Sequence, residues 1–235
     1  MREGRNLLIV GASSSIGRAI LAKFCSPTNH VVATYCSNCC FRPEDRVSTI
    51  ALDLSQDASI KQCSDRVKDS LGYIDLGIFL PSILPGKRLQ DYTSAEIERV
   101  MIINFTGQAK LAMELLPLLA EGSQLIFVSS ISAQKGSYDP LYSASKGAIL
   151  SFVKSLAQSL APRTRVVAIA PGLIEASTMF ERMDPERRKY HLSRIPTKTF
   201  LQQADLATII FDLSQDHWKH LNGACIDLNG GEYVR

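Results

Sequence analysis

Tyr142 and Lys146 stand four residues apart in Tyr142-Ser143-Ala144-Ser145-Lys146. On a helix that spacing puts both side chains on one face, about one turn apart. A phenol ordinarily titrates near pH ~10 and is a poor base at neutrality. An ammonium held beside it favours the phenolate. Turning Tyr142 into an acid/base near pH ~7 requires about 4 kcal/mol of differential stabilisation. A lysine supplies part of this, and a positively charged cofactor ring supplies more. Such a pair also occurs on ordinary helices, so its neighbours decide what it means.

A second candidate lies near the N-terminus. A short apolar run, Asn6–Val10, leads into Gly11-Ala12-Ser13-Ser14-Ser15-Ile16-Gly17-Arg18 and then a helical pattern. Glycine at 11 permits a tight turn, and glycine at 17 permits close packing of helix on strand. Free amides and the helix dipole would then face a pyrophosphate. An acidic residue at the end of the second strand would bind the adenosine ribose and repel a 2′-phosphate. This chain has Thr34-Tyr35-Cys36-Ser37-Asn38 there, and Arg18 and Arg42 are candidate phosphate partners. The pattern favours NADP(H) over NAD(H).

The elements that must position these residues alternate between strand-length apolar runs and helical patterns. Strands are expected at Asn6–Val10, Val31–Thr34, Thr49–Leu54, Ile74–Leu80, Leu125–Ser129, Arg165–Ala170 and Ala224–Leu228. Helices are expected at Ile16–Phe24, Ser59–Ser70, Ser94–Leu119 with a kink around Asn104 to Gly107, Tyr142–Leu160 and Leu206–Leu213. Strands apolar on both faces, alternating with helices, predict an α/β fold with a doubly wound parallel sheet of about seven strands. The whole chain, 1–235, reads as one dinucleotide-binding and catalytic domain. The irregular stretch from Gly172 to Gln203 reads as a cover over the carboxyl ends of the strands. From Glu181 to Lys198 it holds six Lys/Arg against three Asp/Glu. That excess reads either as a solvated helix face or as a lid preferring acidic substrates.

Composition narrows the function classes. The 235 residues are 46% hydrophobic and 21% charged, as in ordinary globular proteins, with a net charge of only +3. That charge gives no reason to expect nucleic-acid binding. No apolar stretch approaches the ~18 residues of a membrane span, and the N-terminal run is too short for a signal-peptide core. A cytoplasmic protein is expected, with six reduced cysteines. Cys36, Cys39 and Cys40 cluster, with His30 as a fourth ligand only in principle. A structural zinc site wants four ligands, so no metal is expected and the thiols read as incidental or weakly redox-sensitive.

Taken in order, Gly11-x-x-x-x-x-Gly17, Asn104, Ser130 and Tyr142-x-x-x-Lys146 resemble the short-chain dehydrogenase/reductase family. The resemblance runs from residue 6 to about residue 231 and suits that family's shorter, single-domain branch, with its Rossmann-type fold. Asp53 resembles its adenine-contacting aspartate, Pro171-Gly172 its Pro-Gly after the sixth strand, and Gly230-Gly231 its terminal glycine pair. It implies that Tyr142 exchanges a proton with the substrate oxygen and that Lys146 lowers the tyrosine pKa and binds the nicotinamide ribose. Ser130 would polarise the carbonyl, and Asn104 would bend its helix and hold a water in a relay with Lys146. Ser130 lies twelve residues before Tyr142, one closer than is usual in that family; Ser129 restores the usual spacing, but Ser130 keeps Gly136 in register and is preferred. Tyr138 has no lysine four residues on and reads as a loop or pocket-wall residue. Cofactor contacts are implied for Gly11, Ser13, Ser14, Ser15, Ile16, Gly17, Tyr35, Asp53, Leu54, Pro81, Tyr142, Lys146, Pro171, Gly172 and Ile174. A homo-tetramer or homo-dimer through the two long helices is implied as well.

The chain departs from the family in three places. Ser15 stands where a glycine is usual, so a Cβ crowds the pyrophosphate approach. Phe79-Leu80-Pro81-Ser82 replaces Asn-Asn-Ala-Gly after the fourth strand, which removes the strand-stabilising asparagines and one backbone donor. Ala176 stands where a threonine is expected after Pro171-Gly172, with Ser177 and Thr178 next. The expected function is hydride transfer between NADP(H) and a secondary alcohol or ketone on a small, possibly acidic, substrate. The alternatives are a 3-ketoacyl thioester reductase acting on an acyl carrier, and a dinucleotide-sensing protein without turnover.

Overall fold

In the computed structural model residues 4–37 and 46–235 are described. Cys39, Cys40, Arg42 and Asn38 lie outside them. The strands are β1 (Asn6–Val10), β2 (His30–Tyr35), β3 (Val47–Ala51), β4 (Ile74–Phe79), β5 (Leu119–Val128), β6 (Thr164–Pro171) and β7 (Cys225–Leu228). They form one parallel sheet in the order β3-β2-β1-β4-β5-β6-β7. This is the Rossmann-type doubly wound sheet that the alternation predicts. The order reverses between β1 and β4, the position at which sheets of this kind bind ligands, at the carboxyl ends of the strands.

Strand side chains alternate between the two faces of the sheet. Leu8, Val10, Phe79 and Phe127 pack on one face beneath α2 (Asp57–Leu71), α4 (Gly107–Leu115) and α6 (Pro140–Leu160). Leu7, Ile9, Ile78 and Ile126 pack on the other beneath α1 (Ser15–Phe24) and α9 (Gln203–Leu213). Where asparagines were expected to brace the sheet, Phe79 stacks on Phe127 with centroids 4.4 Å apart. Phe152 then meets Phe127 edge-on. Aromatic contact and burial take the place of polar bracing at this position. Among the described residues no helix is long and apolar enough to cross a membrane.

Two expectations need correcting. The helical stretch expected over Ser94–Leu119 has a π-helical turn at the expected kink but ends sooner, at Leu115. It comprises α3 (Ser94–Met101), a π-helical turn (Ile102–Thr106) and α4. Pro117 lies in a 3-10 turn after α4, and β5 already begins at Leu119. The 172–203 stretch is also less irregular than expected. It holds α7 (Thr178–Glu181) and α8 (Pro185–Arg194), and a further short helix, α5 (Ser132–Lys135), lies upstream. No residue of α8 is buried, so the hydrophobic periodicity that reveals core helices is missing. Its cap was legible, however: Asp184 accepts from the Arg187 amide and Pro185 occupies the first turn.

Gly107 joins α4 to the loop after β3. A Cβ there would lie 2.4 Å from the Leu54 carbonyl oxygen and 2.8 Å from Leu54 Cβ. In a free helix Gly→Ala stabilises by up to about 1 kcal/mol. Here Gly107→Ala is expected to destabilise by about 1–3 kcal/mol through overpacking. Denaturant unfolding of the variant, with an unchanged m-value, checks the sign.

Candidate active site

The cradle is built where β1 ends. Gly11 has φ +81°, and its amide donates to Thr34 Oγ1 at 2.9 Å. A Cβ at Gly17 would sit 2.6 Å from Ala12 Cα and from the Gly11 oxygen, so the helix reaches the turn only because residue 17 is glycine. Ser14 caps α1: its Oγ accepts from the Gly17 amide at 3.0 Å and donates to the Gly11 carbonyl at 3.0 Å. The amides of Ser15 and Ile16, in the first turn, have no intrahelical acceptor. Ser14 therefore shapes the loop through its side chain, while its neighbours offer backbone donors. Arg18 Nη1 lies 3.3 Å from the Ser13 carbonyl oxygen, along the same loop.

The residues expected to meet adenosine come from β2 and the loop after β3. Tyr35 ends β2, and its carbonyl accepts from the Leu52 amide at 2.7 Å. Asp53 accepts from the Ser55 amide and hydroxyl at 2.9 and 2.7 Å, which lowers its carboxyl pKa. Leu54 is buried against Gly107. On the far side, Gly172 approaches Asn229, and its amide donates to the Leu228 carbonyl at 2.8 Å. Pro171 ends β6, and Ile174 bridges to Leu201. Ala176 adopts φ +55°. Ser177 cannot substitute freely for the displaced threonine, because it caps α7 and donates to the Ile174 carbonyl at 2.7 Å.

The proton-handling candidates converge between β4 and β5. Asp139 caps α6 by accepting from the Tyr142 amide at 2.9 Å, with Pro140 in the first turn. The helix carries Tyr142 and Lys146 inward on one face, 6% and 1% exposed. The Ser130 and Ser82 side chains act on the Tyr142 phenol, each favouring its charged form. Ser129 is buried and donates to the Lys146 carbonyl at 2.8 Å. Of the two adjacent serines, Ser130 is therefore the one at the phenol and Ser129 braces the helix. Asn104 sits in the π-helical turn. Its Oδ1 accepts from the Ile83 amide at 2.7 Å, and its Nδ2 donates to the Ile83 carbonyl and to Ser145 Oγ, both at 2.9 Å.

A family model described as enoyl-(acyl carrier protein) reductase matches residues 11–232. The chain is a short-chain dehydrogenase/reductase. It is 27% identical over 241 residues to the 3-oxoacyl-[acyl-carrier-protein] reductase FabG of Thermotoga maritima, covering 97% of this chain and 98% of that one. The solved short-chain dehydrogenase/reductase of Brucella melitensis titled glucose/ribitol dehydrogenase superposes with a TM-score of 0.93 at 28% identity. That match covers 99% of this chain and 98% of that one. A Burkholderia cenocepacia short chain dehydrogenase solved in complex with NADP shares the fold, with a TM-score of 0.89 at 21% identity over 99% of each chain. The family is one of oxidoreductases that use nicotinamide cofactors.

The residues of this short-chain dehydrogenase/reductase fit such a cofactor. The turn closes against the start of α1 because residue 17 carries no Cβ, and Gly11 adopts a φ of +81° there. Lys146 supplies a second indication. Among the described residues its one hydrogen-bond partner is the Val128 carbonyl, at 2.8 Å. An ammonium has three donors, so the rest of its capacity is open to a bound hydroxyl or water. Burial lowers the Lys146 pKa to about 7. Burial likewise raises that of Tyr142, with the Ser130 and Ser82 side chains pulling it back and the Asp139 charge adding to the rise. Lys146 was expected to lower the Tyr142 pKa; in this structure burial of the phenol outweighs every other influence on it.

Several residues at the site went unnoticed in the sequence. Asp139, 1% exposed, accepts from Tyr92 Oη at 2.7–2.8 Å and from the Gly86 amide at 2.9 Å. It thereby ties the loop after β4 to the start of α6. Asp-Pro at the head of a helical pattern was the signal. Gln108 donates to the carbonyls of Pro81 and Asn104 at 2.9 and 2.8 Å, and Thr34 holds Gly11; neither carries a local signature. Tyr138 lies outside the proton site, half exposed between the guanidinium groups of Arg88 and Arg187 at 5.7 and 5.6 Å. The far end of the 172–203 stretch rests on the terminal glycine pair, where the Thr197 amide donates to the Gly230 carbonyl at 3.2 Å.

A buried lysine whose folded pKa lies below its unfolded value costs stability most when both states are protonated. That cost is full below about pH 7, shrinks as pH rises towards about 10, and vanishes above the unfolded pKa. Lys146→Met is therefore expected to be more stable than the wild type by a few kcal/mol near pH 6, with the gap narrowing towards pH 10. Thermal or urea unfolding across that range checks it; a gap that does not change with pH contradicts it.

Proposed function

We propose that this chain is an NADP(H)-dependent reductase that interconverts a ketone and a secondary alcohol. The observation that carries the reading is the meeting of Ser130, Tyr142 and Lys146 between β4 and β5, beside a glycine cradle at the sheet's switch point. The amides of Ser15 and Ile16, with Gly11, Ser13, Ser14 and Gly17 shaping the turn, would hold the pyrophosphate. Tyr35, Asp53 and Leu54 would meet the adenosine. Pro81, Pro171, Gly172 and Ile174 would flank the nicotinamide. When bound, the cofactor supplies or takes the hydride.

The protein's own residues manage the proton. In reduction Tyr142 donates its phenolic proton to the substrate oxygen. Ser130 lies at the same phenol and donates a hydrogen bond to that oxygen as negative charge develops on it. Lys146 holds the nicotinamide ribose with its open donors and favours the phenolate that remains. Asn104 keeps the loop carrying Pro81 and Ser82 in register with the helix carrying Tyr142. The preference for NADP(H) rests on Tyr35-Cys36-Ser37, which carry no carboxylate where a 2′-phosphate would lie, and on Arg18 beside the cradle.

The reading treats the chain as one cytoplasmic unit with a substrate lid within 172–203, assembled as a homo-dimer or homo-tetramer. A second reading is supported by α8, whose Arg187, Lys189 and Arg194 are exposed. A lid with those cations suits a 3-ketoacyl thioester on an acidic carrier. Turnover of carrier-linked 3-ketoacyl groups that falls steeply with salt, against salt-insensitive turnover of simple ketones, separates the two. Under either reading Tyr142→Phe is expected to lower kcat by about 10²–10⁴-fold while NADPH affinity is retained. Fluorescence titration with NADPH and a panel of ketones check this. Absence of NADPH binding by the wild type, or turnover untouched by Tyr142→Phe, would overturn the assignment.

A further inference from the structure

Helix α8 is held in place without burying a residue. Its Arg187 guanidinium lies over the Tyr138 ring at 5.6 Å. One turn further on, His191 Nδ1 lies 3.8 Å from Glu232 Oε1. Arg188 lies over the Phe180 ring of α7 at 4.4 Å, within the same 172–203 stretch. A helix without a buried apolar stripe gains little from packing, so these few contacts decide where it rests.

Glu232 differs from the acids on the helix side. Its side chain is 2% exposed, whereas Glu181 and Glu186, which pair with Arg188 and Lys189, are well exposed. The chain turns back to place it there. Gly230 and Gly231 adopt φ +60° and +85°, and the Glu232 amide donates to the Asn229 carbonyl at 3.1 Å. A Cβ on Gly231 would lie 3.1 Å from Pro196 Cγ, so the segment after α8 rests on the same turn. The carboxylate then joins two elements. Lys135 of α5 donates to its Oε1, and His191 of α8 faces the same oxygen. Burial alone would raise this carboxyl pKa, but His191 and Lys135 hold it below the usual range. Lys135 stands one short helix beyond Ser130, whose Oγ accepts from the Ser132 amide at 3.1 Å.

We propose that Glu232 is a positioning residue that latches α8 over the substrate site, with Lys135 as its fixed anchor and His191 as the contact that opens. A buried carboxylate needs a charged partner, and Lys135 remains one when α8 lifts. With the latch closed, α8 is tied at two points to the stretch from Ser130 to Tyr142: directly through Arg187 on Tyr138, and through Glu232 on Lys135. Glu232 thus helps to hold substrate against the proton-handling groups and takes no part in proton transfer. That consequence rests on the proposed roles of Ser130 and Tyr142; the latch itself does not.

Amide hydrogen exchange over residues 185–194 of the full-length protein reports release of the helix without requiring turnover. Glu232→Gln and His191→Gln are each expected to speed exchange there about tenfold, with the strands β1, β4 and β5 unchanged. The double variant is expected to exchange no faster than the faster single one, because both changes remove the same contact. His191→Lys, which keeps a cation facing the carboxylate, is expected to restore protection. With a ketone that the wild type reduces, each Gln variant is expected to raise KM about tenfold at nearly unchanged kcat, the mark of lost substrate hold. Should Glu232→Gln unfold the protein, His191→Gln decides, since its side chain is 25% exposed. Unchanged exchange in His191→Gln, additive acceleration in the double variant, or a loss confined to kcat would overturn the latch. A wild type that reduces no ketone would overturn the proposed function instead, and the exchange rates would still decide whether Glu232 holds α8.

Discussion

The grip of Asn104 on Ile83 is the interaction on which the rest of the site depends. A regular α-helix would leave the backbone ladder closed around residue 104. The π-helical turn widens it, with the Gly107 amide bonding back to the Ile102 carbonyl. The buried Asn104 side chain then satisfies both backbone groups of Ile83, which has left β4 and has no sheet partner. Were that carboxamide absent, two buried polar groups would be unpaired and the loop would lose its register. Through Ser145 the same side chain fixes the turn of α6 that presents Tyr142.

That bracing explains how the chain tolerates Phe79-Leu80-Pro81-Ser82. Polar residues at the end of β4 would have satisfied neighbouring backbone through their side chains. Here Phe79 stacks on Phe127 in the core, and Gln108 and Asn104 supply the missing hydrogen bonds from the adjoining helix. The bracing comes from a different direction, yet the loop remains beside Gly11, where the Pro81 ring packs.

Lys146 shows a second constraint. Its ammonium is buried with one carbonyl partner, an arrangement that lowers its pKa and disfavours its charge. Burial also disfavours the charge on Tyr142. Burial thus disfavours the ammonium of Lys146 and the phenolate of Tyr142 alike. The Ser130 and Ser82 side chains, which favour the charged phenol, are the local counterweight.

Much of this was legible in the sequence because it is periodic or local. Apolar runs flanked by helical patterns specify a parallel sheet, since both faces of each strand must be covered. Gly11 and Gly17 are required by backbone geometry that a Cβ would obstruct, and Tyr142 and Lys146 share a face because of helical spacing alone. What was not legible depends on residues far apart in the chain. Ser129 and Ser130 are neighbours with the same hydroxyl, and the fold alone sends one to the Lys146 carbonyl and the other to the phenol. Asp139 meets Tyr92 and Gly86 across some fifty residues, and Asn104 meets Ile83 across twenty-one. Helix α8 buries no side chain and so leaves no hydrophobic stripe to read. The sequence by itself determined the sheet, the glycine turn after β1 and the placing of Tyr142 and Lys146 on one helix face, because periodicity and backbone sterics act over short range. The partners, burial and charge preference of that pair were decided by tertiary structure, because hydrogen bonding and desolvation depend on which distant groups the fold brings together.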